Sequence, residues 1–170
     1  QEVIDEVKTR QDIPDKKNGR LLVWGSLIDN IKFTDLIESS GLNIIIEDTA
    51  TGTRPFWHDI EETEDPLDGV ARHYLQEVKC PRTFAETDTS YKEDLENRYS
   101  YLKDFAKYWK VNGVFGNIIR NCDIHGYEIP AVKDYLESLG LPVLIIEQDY
   151  STASLEPLRT RFQAFAETIG

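Results

Sequence analysis

The stretch Val114-Phe115-Gly116-Asn117-Ile118-Ile119-Arg120-Asn121-Cys122-Asp123-Ile124-His125-Gly126-Tyr127 decides how this chain folds. Its first six residues form an apolar run too short for a buried helix, so it reads as a strand covered on both faces, and a helical pattern starts at about Glu128. The Cys122 thiol then stands at the C-terminal mouth of that strand. In open parallel α/β sheets the strand ends and the helix N-termini that follow them enclose the crevice where ligands bind. A helix N-terminus also favours the thiolate, the form that attacks electrophiles and ligates metals. Taken by itself, an isolated cysteine is more often a small buried hydrophobe.

Working outward, strand and helix signals alternate. Leu21-Leu22-Val23-Trp24-Gly25-Ser26 is a short apolar run closed by small residues, and Thr34 is expected to cap a helix carrying Leu36 and Ile37 up to Gly41. Residues 42–48 form the second strand. A helix over 66–78 is expected to bury Leu67, Val70, Ala71, Tyr74, Leu75 and Val78, and one over 93–110 shows a 3.6-residue stripe through Leu95, Tyr99, Leu102, Phe105, Ala106 and Trp109. Behind the Val114 strand, Ala131, Val132, Tyr135, Leu136 and Leu139 make a helix face that Gly140 stops. Residues 142–147 are the fourth strand and 155–169 a closing amphipathic helix. Strands at about 21–25, 43–47, 114–119 and 143–147, joined by right-handed crossovers, imply a Rossmann-like or flavodoxin-like three-layer α/β sandwich with a four-stranded parallel sheet.

At 170 residues the chain suits one domain, placed here at 20–170. Residues 1–19, a charged helix-compatible stretch followed by Asp12-Ile13-Pro14-Asp15-Lys16-Lys17-Asn18-Gly19, read as a linker and helical remnant. With methionine absent throughout, they are expected to continue from a longer polypeptide. The 31 acidic against 19 basic residues, a formal charge of −12, argue against nucleic acid and anionic membranes as partners. Two cysteines make no disulfide framework, no apolar run approaches the roughly 20 residues of a membrane span, and nothing reads as a signal peptide, so a reducing cytoplasm is expected. Neither the dinucleotide G-x-G-x-x-G pattern nor the phosphate-binding G-x-x-x-x-G-K-S/T pattern occurs, which disfavours an ordinary NAD or ATP site.

Each strand runs into a loop of small or polar residues: Gly25-Ser26, residues 48–54, Asn121-Cys122-Asp123 and residues 149–152. In a parallel sheet all four fall on one edge, so Ser26, Thr51, Cys122 and Ser151 are expected to open towards a single cavity. His125 lies three residues after Cys122, a spacing able to chelate a metal or to supply a base for a nucleophilic thiol, although a helix-entry histidine satisfied by backbone is commoner and no third, orienting group is identifiable. His58 and His73 have no partner at a telling spacing.

Four segments stand in a familiar order: Trp24-Gly25-Ser26-Leu27-Ile28-Asp29-Asn30; Asp48-Thr49-Ala50-Thr51-Gly52-Thr53-Arg54-Pro55-Phe56-Trp57; Asn121-Cys122-Asp123-Ile124-His125-Gly126-Tyr127-Glu128-Ile129-Pro130; and Glu147-Gln148-Asp149-Tyr150-Ser151 with Leu158-Arg159-Thr160-Arg161-Phe162-Gln163-Ala164-Phe165. In this the chain resembles the C-terminal half of 2-hydroxyacyl-CoA dehydratase and benzoyl-CoA reductase subunits. The resemblance implies a subunit that holds a 4Fe-4S cluster through cysteines, pairs with a homologous second subunit and receives single electrons from an ATP-hydrolysing activator protein. The complex then reduces an acyl-CoA thioester to a ketyl radical anion that loses water or undergoes ring reduction. On the same resemblance, Cys122 is the cluster cysteine of this half, and Cys80 is either a further ligand or a structural thiol. The remaining ligands come from elsewhere, and this chain alone does not hold a stable cluster. Ser26, Thr51, Arg54 and Ser151 become candidates for cofactor binding, Arg54 meeting a CoA phosphate or a carboxylate unless it is taken up by a surface salt bridge. The competing expectation is a non-catalytic Rossmann-like binding or assembly module, since fold alone does not set function.

Overall fold

The computed structural model describes residues 1–11, 17–83, 88–149 and 155–170. Four strands, β1 Gly19–Gly25, β2 Leu42–Thr49, β3 Gly113–Ile119 and β4 Val143–Gln148, form one sheet in the order β2-β1-β3-β4. All three pairings are parallel, as the apolar runs require. From β1 the chain first adds β2 on one side and later adds β3 on the other. The strand order therefore reverses between β1 and β3, and at such a switch point the connecting loops diverge and leave a crevice.

The period-2 alternation of a strand splits the apolar residues between two faces. Leu22 and Trp24 of β1 and Val114 and Ile118 of β3 pack against helices α4 (Tyr91–Tyr108) and α5 (Asp123–Ser138). Leu21, Val23, Phe115 and Ile146 point the other way, onto α2 (Ile31–Ser39) and α6 (Leu155–Ile169). This is the expected three-layer sandwich, its second face centred on the mutually tilted rings of Phe33, Phe115 and Phe162. Helix α1 (Glu2–Thr9) buries no residue, whereas Gly19 already belongs to β1, so the sheet begins inside the segment read as linker. Residues 12–16 of that segment lie outside the described residues. Among the described residues no helix is long and apolar enough to cross a membrane.

Three helices depart from the sequence reading. Helix α2 is capped by Asn30, whose Oδ1 accepts the Lys32 N–H at 3.1 Å; Thr34 lies a turn further in and donates its hydroxyl to Ile31 O. The stretch expected to be one helix over 66–78 is α3 (Pro66–Arg72) followed by a π turn, His73–Glu77. Its inward residues are Gly69, His73 and Val78, while Leu67 and Leu75 of the expected apolar face are 75% and 69% exposed. Gly69 presses so closely on Glu61 O that a Cβ there would stand 2.3 Å from it, and the wider π turn then shifts the helical phase. Helix α5 starts at Asp123 rather than near Glu128, because Asn121 takes a left-handed conformation, φ 64°, that turns the chain sharply out of β3. Leu139, expected on its buried stripe, is the half-exposed C-cap.

Candidate functional site

Gly25 ends β1 with φ 123°, and a Cβ at that position would lie 2.3 Å from Asn117 O. Only glycine fits both demands. The bend lets the Ser26 N–H donate to Asn117 O at 2.8 Å. The fully buried Asn117 side chain then ties three mouths of the sheet together. Its Nδ2 donates to Ser26 O (3.0 Å) and Leu27 O (3.1 Å), and its Oδ1 accepts from Gln148 Nε2 at the end of β4 (2.6 Å). The sequence reading passed over Asn117; a lone asparagine inside an otherwise apolar strand was the available signal, since a buried amide must find partners.

Across the switch point, Cys122 occupies the N-cap of α5 with non-helical φ −84° and ψ 87° and makes no side-chain cap bond. Its thiol is half-buried and lies 3.2 Å from Nδ1 of His125 in the first turn. His125 is 8% exposed, stands edge-on to the Trp24 ring at 5.4 Å between centroids, and has Ser26 Oγ 3.3 Å from the same Nδ1. The Ser26 hydroxyl in turn accepts the Ile119 N–H at 3.3 Å. The structure thus brings Ser26, from the loop after β1, to the Cys122 and His125 pair that follows β3. They form a thiol, an imidazole and a hydroxyl at the junction of β1, β3 and α5, beside the positive end of a helix.

The remaining candidates fall elsewhere on the same edge. Glu47 gathers the loop after β2: its carboxylate accepts from Thr49 N, Thr53 N and the Thr49 hydroxyl, leaving Thr51 exposed at the tip of the turn. Because β2 and β3 flank β1, Thr51 and Cys122 follow strands roughly 10 Å apart. Arg54, expected to meet a ligand anion, instead spends Nε and Nη2 on the buried Asp48. Burial raises the Asp48 pKa, against the pull of Arg54 and the Tyr101 hydroxyl, which donates to Asp48 Oδ2 at 2.8 Å. Burial by itself would lower the Arg54 pKa, and the Asp48 charge and hydrogen bonds, with lesser contributions from its other neighbours, together outweigh it. Ser151 lies outside the described residues.

Cys80 is not part of the Cys122 group in any contact the structure shows. It lines a cavity of about 150 Å³ together with Trp24, Asn97, Tyr99, Tyr101 and Glu128. Cys122, Ser26 and Thr51 line none of it. Glu128 accepts there from both Arg98 and the Tyr99 hydroxyl, and burial followed by that bond drives the Tyr99 pKa far upward. His58 is exposed, and His73 is a buried structural residue that donates from Nε2 to Pro55 O at 3.1 Å. Among the described residues no group of three or more His, Cys, Asp or Glu side chains converges on a metal position.

Residues 1–169 match the family model described as 2-hydroxyglutaryl-CoA dehydratase, D-component. The chain is 26% identical over 168 residues to the (R)-phenyllactyl-CoA dehydratase beta subunit of Clostridium sporogenes, a match covering 99% of this chain and 42% of that protein. It is 25% identical over 170 residues to the lactoyl-CoA dehydratase subunit beta of Anaerotignum propionicum, covering 99% and 43% respectively. The chain therefore spans about two fifths of the length of these relatives.

Proposed function

The chain belongs to the 2-hydroxyglutaryl-CoA dehydratase D-component family, and from that premise we propose that it is the sheet-bearing part of a subunit that removes water from a 2-hydroxyacyl-CoA thioester. The observation that carries the reading is the meeting of Cys122, His125 and Ser26 at the switch point of the sheet. In this reading Cys122 ligates a 4Fe-4S cluster. The donor chemistry fits: such clusters take thiolates, and Cys122 presents a half-buried thiol at a helix N-terminus. It fits as one ligand of several, because the chain's other cysteine, Cys80, lines a cavity that Cys122 does not, and among the described residues no three potential ligands converge. The remaining ligands are then contributed from outside these 170 residues, with Cys80 the weaker internal candidate.

When bound, the cluster would supply a low-potential electron, received from an ATP-hydrolysing activator, that reduces the thioester to a ketyl radical anion; the hydroxyl would leave as hydroxide, a proton lost from the substrate would complete the water, and the electron would be returned, so that the dehydration is redox-neutral overall. The residues of this chain do the positioning. The Asn117 amide locks the β1 and β4 mouths, so the thiol-bearing mouth of β3 sits in a rigid frame. Trp24 and Ile118 pack together beneath it, and the Ser26 hydroxyl and the Thr51 turn lie on the edge where a CoA thioester would bind. Relatives named as beta subunits support a homologous partner subunit. Relatives named as dehydratases favour water loss over ring reduction. A reducing, cytoplasmic setting suits a thiol-ligated cluster.

Iron and acid-labile sulfide, measured on the protein purified without oxygen, test the reading. Stoichiometric iron and sulfide, together with dehydration of a 2-hydroxyacyl-CoA by the activated complex, are expected; iron-free protein that keeps its full turnover overturns it. One observation favours a second reading: the 3.2 Å contact between Cys122 Sγ and His125 Nδ1 also suits a nucleophilic thiol with an adjacent base. Iron-free protein that iodoacetamide inactivates at Cys122 would establish that alternative. A purely structural module would show neither iron nor thiol-dependent turnover.

A further inference from the structure

Two neighbours address one nitrogen. Cys122 Sγ and Ser26 Oγ lie 3.2 and 3.3 Å from His125 Nδ1, an atom that carries either one hydrogen or one lone pair. A thiolate bound to iron has no hydrogen to give. If Cys122 is a ligand, the contact is a bond only when Nδ1 is protonated and donates to sulfur. Ser26 is compatible with that tautomer: its oxygen already accepts from Ile119 N, so it can serve as a second acceptor while its own hydrogen turns away. The imidazole is 8% exposed, and Trp24 stands edge-on to it at 5.4 Å between centroids.

Resting on the assignment of Cys122 as a ligand, we propose that His125 is a positioning residue whose Nδ1–H donates to the Cys122 sulfur, holding the ligand and raising the reduction potential of the metal centre attached to it. The physical cause is the withdrawal of charge from sulfur. A hydrogen bond to a ligating thiolate stabilises the reduced, more negative state over the oxidised one, and partners of this kind are among the means by which a protein sets a cluster's potential. The geometry further explains why the pair sits on one turn of α5: the N-cap and the third helical residue are adjacent on the helix surface, so the donor and the ligand move as one body.

The test uses the protein as it occurs natively, with any partner subunit, purified anaerobically, and two variants, His125→Phe and His125→Asn. Phenylalanine keeps the ring and its edge contact with Trp24 but has no N–H; asparagine places an amide N–H near the position of Nδ1. Iron per subunit and the midpoint potential, followed by electron paramagnetic resonance during redox titration, are the readouts. In the phenylalanine variant we expect retained iron and an equilibrium shifted at least tenfold towards the oxidised cluster, about 59 mV for one electron. The asparagine variant should recover most of that shift. Loss of iron with phenylalanine but not with asparagine would equally support the hydrogen bond. An unchanged potential in an iron-loaded phenylalanine variant overturns the inference, as does loss of iron in both variants, which would mean that the ring is needed for its shape. Wild-type protein without iron overturns the underlying ligand assignment, and this inference with it, and is recognised before any variant is made.

Discussion

Arg54 is clasped by Asp48 through both carboxylate oxygens, Nε to Oδ1 at 3.1 Å and Nη2 to Oδ2 at 3.0 Å, with the two side chains 4% and 2% exposed. Nη2 also donates to the Asp48 carbonyl at 2.6 Å. A basic residue at the mouth of a strand is thereby turned into a brace between β2 and the segment that follows it. Breaking a buried pair strands one charge, whereas replacing both partners does not. Arg54→Met alone should therefore destabilise the fold by roughly 3–5 kcal/mol, and the double variant Asp48→Leu with Arg54→Met by distinctly less. Urea denaturation of the two variants checks this; equal losses would show that the charges do not act as a pair.

Gly25→Ala should be among the most damaging single-methyl changes available to this chain. The residue combines φ 123° with a would-be Cβ 2.3 Å from the Asn117 carbonyl oxygen, and a backbone atom cannot swing aside as a side chain does. Strain and lost sheet geometry should cost roughly 2–4 kcal/mol. Because the Ser26 N–H and carbonyl depend on the same bend, Cys122 should also become more reactive to alkylating agents. Thermal unfolding and thiol alkylation rates together check the expectation, and an alanine variant with wild-type stability would refute the packing argument.

The strands were legible because each is a short apolar run buried on both faces, and Leu22 with Trp24 against Leu21 with Val23 show that the period-2 split held. The residues that decide the site were harder to see. Asn117 sits inside one of those runs, and two of its hydrogen bonds reach Ser26 and Leu27, about ninety positions earlier in the chain, which no local pattern reports. His125 and Cys122 are three residues apart in sequence, but Ser26 joins them only through the β1–β3 pairing. The exposed face of α3 was misread because periodicity identifies an apolar face without showing what covers it, and here a glycine and a π turn rotate the helix. Arg54 shows the same limit for charge: spacing placed it at a ligand-binding edge, while a partner six residues earlier in the chain took its guanidinium.

The start of α4 makes a pH-dependent contribution whose sign follows from one carboxylate. Ser90 and Glu93 form a capping box, each accepting from the other's backbone N–H, and the hydrogen bonds from Ser90 lower the Glu93 pKa from its usual 4.5. A carboxyl group whose pKa is depressed on folding adds stability above its unfolded pKa, and loses it as the pH falls through the lower folded value. The stability gap between wild type and Glu93→Gln should thus be full above about pH 5 and close below pH 4.5, as Glu93 itself becomes protonated. Denaturation series at several pH values check it, and a gap that widens on acidification would show the opposite sign.

Replacing Cys122 with serine should separate stability from function. At the N-cap of α5, Cys122 has the extended backbone a cap needs, but its side chain makes no cap hydrogen bond. Serine is among the best N-cap residues, because its oxygen accepts an otherwise unpaired N–H of the first turn, so Cys122→Ser should leave the fold unchanged or raise its stability by up to about 1 kcal/mol. The same substitution removes the thiol in contact with His125 and replaces it with a hydroxyl that binds iron poorly, so under the proposed cluster assignment iron content and acyl-CoA dehydration should collapse together. Cys80→Ser should do less, since Cys80 lines a separate cavity and its backbone N–H is already engaged by the Thr83 hydroxyl. The decisive result is the pair of measurements on one sample: circular dichroism with thermal unfolding for the fold, and iron with turnover for the site. If Cys122→Ser keeps full iron and full turnover, the thiol is structural; if it loses stability as well, the missing cap bond was not the limiting feature of this turn.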